Sequence, residues 1–195
     1  MASPSKHELY GGAVAAEIPS FFDDASQFRQ VPDHQEVFVH QETGCCVIVE
    51  LNSLEANVAK TSAAAHHFQD LAKANEAKDC IVEDTSEFDA KAMSLQIDPQ
   101  GRVIFSATCS GKHVVAKFNE AGRENVVHVE LGLFRIEPPT ATDLLVTVSA
   151  PIQIDPQSSE SHSVKTILAV EDIRRIHRQV MSSLEIRNWG LFVPE

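Results

Sequence analysis

From Arg102 to Ala150 the chain passes through successive stretches rich in β-branched residues, joined by short connections. Arg102 to Thr108 and Lys112 to Phe118 flank Cys109-Ser110-Gly111, which reads as a compact hairpin connection. Asn125 to Ile136 and Asp143 to Ala150 read as the next pair, joined across Pro138-Pro139. Strands that follow one another this closely pair as antiparallel neighbours, because a parallel return needs a long crossover. An antiparallel sheet is therefore the expected frame.

A hairpin upstream extends it. Pro32 pushes Val31 towards extended geometry, and Asp33 can close an Asx-type turn. Val37 and Val39 alternate with Glu36, Phe38 and His40, which predicts one apolar and one mixed face. Gly44 can supply the positive φ that the connection Gln41 to Gly44 needs. Val47-Ile48-Val49 is a continuous β-branched run, as expected of a strand covered on both faces. Ala13 to Ile18 reads as a small-residue strand ended by Pro19, Phe21 to Ser26 as a short helical turn, and Cys80 to Glu83 as one more strand.

Two segments change period. Leu54, Val58, Ala65, Phe68 and Leu71 predict a helix from about Leu54 to Lys73, with Asn52 or Ser53 as cap. Val164, Ile167, Leu168, Ile173, Ile176, Val180 and Leu184 predict one face of a long final helix. Trp189, Leu191 and Phe192 form an apolar tail suited to docking back on the domain. Phe88, Met93, Leu95 and Ile97 fit neither period, and Asp98 to Gly101 reads as a turn. The whole, residues 1–195, reads as a single α+β domain, an antiparallel sheet of about six or seven strands packed with helices. Residues 1–8 and the polar stretch 155–163 are expected to be flexible.

Charge narrows the partners. The chain carries 28 acidic and 16 basic residues, a formal net charge of −12. That disfavours nucleic acid or an anionic membrane and favours a basic protein surface, although many proteins are acidic for solubility alone. With 43% hydrophobic residues, the chain can bury a core without help from disulfide or metal. Cys45, Cys46, Cys80 and Cys109 show no Cys-x-x-Cys spacing, so they read as buried or half-buried thiols in a reducing compartment. No signal-peptide pattern opens the sequence, and no apolar run approaches ~18 residues, so a soluble intracellular monomer is expected.

Motifs for chemistry are sparse. On a helix His66 and Asp70 share a face at i, i+4 while His67 diverges, leaving two ligands without a third. Ser110-Gly111-Lys112 lacks the upstream glycine and following hydroxyl of a phosphate loop. Arg174, Arg175, His177 and Arg178 read as the solvated side of the last helix. No cofactor or metal is expected. A hydrolase or metal enzyme built on His66, His67 and Asp70 is the weakest of three readings. The others rest on the acidic residues Asp33, Glu36, Glu50, Glu55 and Asp70.

Leu9-Tyr10-Gly11-Gly12-Ala13, Arg29 to Phe38, the Val-Ile-Val-Glu run ending at Glu50, and His67-Phe68-Gln69-Asp70 together resemble the Mog1 family of Ran-binding guanine nucleotide release factors. The likeness continues more thinly through Thr142 to Val148 and Asn188 to Phe192. It implies a Mog1/PsbP-like fold, Ran GTPase as partner, a nucleus-and-cytoplasm location, and a role in nuclear protein transport without catalytic chemistry. Such proteins are expected to carry an acid at the end of the second hairpin strand and another three residues on. Glu50 matches the first, Ser53 occupies the second place, and Glu55 is a near neighbour. The resemblance thus implies Glu50 and Asp33 as the carboxylates that disturb the nucleotide site, with Glu36, Asp70, Arg29 and Glu55 orienting or flanking. An acidic adaptor for another basic protein, without effect on nucleotide, is the alternative.

Overall fold

The computed structural model describes residues 4–93, 97–98, 102–117, 120–136 and 141–192. In order these form β1 (Pro4–Leu9), β2 (Val14–Pro19), β3 (Asp23–Asp24), β4 (Gln35–His40), β5 (Cys45–Ser53) and α1 (Ala63–Ala74). There follow β6 (Asp79–Glu87), α2 (Ala90–Met93), β7 (Val103–Val115), β8 (Asn125–Ile136) and β9 (Thr142–Gln153). The chain closes with α3 (Glu160–Ser163), α4 (Val170–Ser183) and β10 (Glu185–Ile186). Seven strands make one sheet in the order β3-β4-β5-β9-β8-β7-β6, every neighbour antiparallel. A smaller sheet, β1-β2-β10, lies beside it.

The strand alternation sends side chains to two separate cores. Leu144, Val146 and Val148 of β9 join Val47, Val49, Phe38, the small sheet and α4 on one face. Leu145 of β9 joins Leu131, Leu133 and Phe105 under Phe68 of α1 on the other. In α4, Ile173, Ile176, His177, Val180 and Met181 are buried, the i, i+3, i+4 stripe of a helix lying on a sheet. No helix among the described residues is long and apolar enough to cross a membrane.

Several elements depart from the periodicity reading, each for a local reason. β5 runs on to Ser53 because Leu51, Asn52 and Ser53 pair with Leu144, Asp143 and Thr142 of β9. Those residues therefore cannot cap a helix, and α1 starts at Ala63 after a 3-10 turn, Lys60–Ser62. The last helix starts at Val170, not Val164. Ahead of it the backbone N–H groups of Lys165 and Thr166 donate to Glu42 O, which ties this segment to the β4–β5 connection. Pro4 to Glu8, expected to be loose, form β1, and the polar stretch after Asp155 includes α3. Phe21 to Ser26 is not one helical turn: Asp23 and Asp24 pair with β4, and Asp24 then caps a 3-10 turn over Ala25–Gln27. Phe38 and Glu36, not Val37 and Val39, share a face with Val47 and Val49. Ile48, between them, is only half-buried, so β5 is not sealed on both faces. Leu95, Pro99 to Gly101, Phe118 and Pro138-Pro139 fall outside the described residues.

Cys109-Ser110-Gly111 is no turn but the middle of β7, paired with Leu131, Glu130 and Val129 of β8. The glycine is needed for approach, not for bending. A Cβ at Gly111 would lie 2.0 Å from the backbone oxygen of Ile81 in β6, beside the bulge between Val82 and Asp84. Gly111→Ala is therefore expected to cost about 3 kcal/mol, since backbone and not a flexible side chain must yield. Thermal unfolding checks this, with a midpoint roughly 6–12 °C below wild type for a chain of this size.

His177 also departs from expectation: it lies inward, 4% exposed, with its ring nitrogen 3.2 Å from Val146 O. Burial lowers its pKa to about 4, against the pull of Glu130 and the Val146 carbonyl. Unfolded histidine takes up its proton near pH ~6.5, so acidification between there and about 4 favours the unfolded chain. Wild-type stability should fall across that window by up to about 3 kcal/mol. His177→Gln should flatten the slope in urea titrations, leaving the part due to His113, which burial shifts the same way. Glu130, held low by His128 and Arg174 against its burial, adds its loss only at lower pH.

Candidate functional site

The β4–β5 hairpin divides the acidic residues between two faces. Gly44, at φ 64°, makes the connection, and the register sets Gln35 opposite Glu50 and Glu36 opposite Val49. Glu50 points to the α1 side, its side chain 20% exposed. Gln35 Nε2 donates to Glu50 Oε1 at 2.9 Å, and His34 Nε2 lies 3.5 Å from the same oxygen. Glu36 points the other way, where its Oε1 accepts from the backbone N–H of Tyr10 at 2.5 Å.

Helix α1 then brings Asp70 over the same face as Glu50. The Asp70 carboxylate is exposed, 2.8 Å from Lys73 Nζ and 2.9 Å from His66 Nε2, the i, i+4 pair expected of a helix. Lys73 chiefly holds its carboxyl below the usual range, and His66 and His67 add to that. Glu50, Glu55 and Asp70 thus edge one cleft of about 330 Å³, with Leu131 and Leu145 among its lining. Asp33 and Arg29 are exposed but do not line it. Asp33 precedes His34, whose carbonyl accepts from Leu51 N–H, so it stands at the same end of the hairpin as Glu50.

Two supports of this cleft escape a reading from sequence. Tyr10 takes a left-handed φ of 51° in the turn between β1 and β2. Its hydroxyl donates towards Val49 O at 2.8 Å and His34 O at 3.0 Å, joining the start of β4 to the middle of β5. Burial, with Glu36 and Glu50 nearby, pushes its pKa far above the usual phenol value, so it stays a donor. Beneath the cleft, Asp143 is fully buried. It accepts from Arg135 Nε at 2.8 Å and Nη2 at 2.7 Å, and pairs with His67 Nε2 at 2.8 Å. Burial alone would raise the Asp143 pKa, but Arg135 and His67 outweigh it and hold the carboxyl low. A sequence signal did exist, since Arg135 and Asp143 each interrupt an apolar strand and face each other across β8 and β9.

An open cleft with three carboxylates and an aliphatic lining matches a cationic side chain in charge and shape. Among the described residues no group of three or more His, Cys, Asp or Glu is placed to hold a metal ion. The four cysteines are unpaired thiols, Cys45 and Cys109 buried.

A Ran guanine nucleotide release factor of Danio rerio is 36% identical over 185 residues, 94% of this chain and 97% of that protein. The Homo sapiens protein of the same description is 32% identical, with 96% of each chain covered. The crystal structure of the Saccharomyces cerevisiae Ran-binding protein Mog1p shares the fold, with a TM-score of 0.70 at 21% identity over 99% of this chain and 100% of that one. Residues 7–151 match the family described as Ran-interacting Mog1 protein, a span that holds β4, β5, α1 and the buried Arg135–Asp143 pair, and this chain belongs to that family.

Proposed function

We propose that this protein binds the small GTPase Ran through the cleft edged by Glu50, Glu55 and Asp70, and promotes release of its guanine nucleotide in nuclear protein transport. The observation that carries this reading is the convergence of three carboxylates from a strand, a loop and a helix on one cleft. Asp33 and Arg29 flank it at the hairpin start. Glu36 serves the frame, since Tyr10 holds it on the opposite face. The protein acts as a monomeric regulator in nucleus and cytoplasm, engaging neither nucleic acid nor membrane and making or breaking no bond itself.

The mechanism is linkage. A GTPase holds nucleotide through Mg²⁺, a phosphate-binding lysine and ordered switch segments. A partner that prefers the open state lowers nucleotide affinity by the factor by which nucleotide lowers its own. A hundredfold effect needs about 2.7 kcal/mol, and charge-assisted contacts of roughly 1.5–3 kcal/mol each supply that in one or two. What supports Glu50 in this task is a strand fixed on both sides, by β4 and by β9.

The test is a titration of Ran loaded with fluorescent nucleotide, following release and complex formation together. Release should accelerate to saturation, and excess nucleotide should dissociate the complex in return. A complex that forms with no change in release would replace this reading with that of an acidic adaptor.

A further inference from the structure

Beyond the acidic cleft, the same face of the sheet carries a second depression. Helix α1 has 12 residues, about 18 Å of length, whereas seven strands at about 4.8 Å spacing span roughly 29 Å. One helix cannot cover that width. The uncovered part is a trough of about 460 Å³ lined by Cys46, Ile48, Val127, Val129, Pro151 and His113. Leu71 and Thr147 line both depressions, so trough and cleft adjoin. Burial disfavours protonation of His113, which leaves the trough wall uncharged there. Its Nε2 is buried with no hydrogen-bond partner among the described residues. The ion pair Lys117–Glu160, at 3.3 Å, is the charged feature at this end.

We infer that this trough receives a large apolar side chain of the same protein partner whose basic group enters the cleft. The inference rests on the reading of the cleft as the Ran-binding site and adds the shape of what the partner presents. Ile48 and Glu50 stand two residues apart on one face of β5, a separation of about 7 Å. A matching partner segment carries a Lys or Arg and an aliphatic or aromatic residue at i, i+4 of a helix, about 6 Å along its axis, or at i, i+2 of a strand. Charge on the rim selects the basic group, and the trough disfavours a second one because its carboxylate, Glu160, is already engaged by Lys117 and Asn125. The trough thus gives the contact a part that salt does not screen.

The test uses the intact protein labelled at isoleucine and valine methyls, titrated with nucleotide-loaded Ran. The methyls of Ile48 and Val127 should shift on complex formation, while those of the exposed Ile81 and Ile167 stay put. Ile48→Ser should weaken the complex roughly tenfold, the loss of one buried aliphatic contact, with an unaltered salt dependence. Glu50→Lys separates the two ideas. If it abolishes the complex while Ile48→Ser binds as wild type and the two methyls stay still, the trough is overturned and the cleft stands. If wild type forms no complex, both fall. Should Ile48→Ser fail to fold, the wild-type methyl shifts alone decide.

Discussion

Glu50→Lys should slow the release of nucleotide from Ran by about a hundredfold, through a change in binding and not in folding. The substitution exchanges one charge of the cleft for its opposite, leaving Glu55 and Asp70 to attract the new lysine inward. A cationic partner then loses its central contact and meets a like charge in its place. The side chain is only partly exposed, but its neighbours Gln35 and His34 are polar and the cleft is open, so lysine can reach water. The unfolding midpoint should therefore stay within roughly 3 °C of wild type, a shift of about 1 kcal/mol for a chain of this size. Stopped-flow release curves with matched melting curves check both halves. Glu171→Lys, on α4 and so on the far face of the sheet, is the control and should release nucleotide as wild type does. Raising the salt concentration should narrow the gap between Glu50→Lys and wild type, because the effect is one of charge.

Asp143→Ala should produce the largest loss of stability in the molecule. Arg135 is 4% exposed and donates through Nε and Nη2 to that one carboxylate. Removing the acid leaves a buried guanidinium without its counter-charge and a buried histidine without its acceptor. Such a break costs about 3–5 kcal/mol, or a melting point lowered by roughly 6–20 °C at this chain length. The double variant Arg135→Met, Asp143→Leu should recover most of the loss, since it removes both charges and fills the volume. If the single and double variants melt alike, burial of an unpaired charge is not the cause. Lys73→Ala, which breaks the exposed pair with Asp70, should change stability little.

How much of this was legible depends on what kind of contact each residue makes. β8 and β9 are readable because long stretches rich in Val, Leu and Ile, such as Val126 to Ile136, bounded by turn residues, admit few other structures. Alternation in β4 announced two faces without saying which lies inward. Phe38 packs into the core on the α4 side, and Glu36, two residues earlier on the same face, is held there by the Tyr10 N–H. Ser110-Gly111 looked like a turn because glycine permits one, whereas here it permits the close passage of Ile81 O. Asn52 and Ser53 looked like caps, yet pairing with β9 took them into the sheet. Glu50 and Asp70 stand out in the sequence, but their shared cleft is the gap between β5 and α1, which packs over β6, β7 and β8, and no local pattern encodes that. Asp33 and Arg29 lie near that cleft without lining it.

Tyr10 carries a consequence for damaged forms of the protein. Its single hydroxyl links the amino-terminal hairpin to the strand that bears Glu50. A chain clipped just after this residue would keep every group that borders the cleft and still present as a loss of grip, because the seam between His34 and Val49, beside Glu50, would have lost its cross-link.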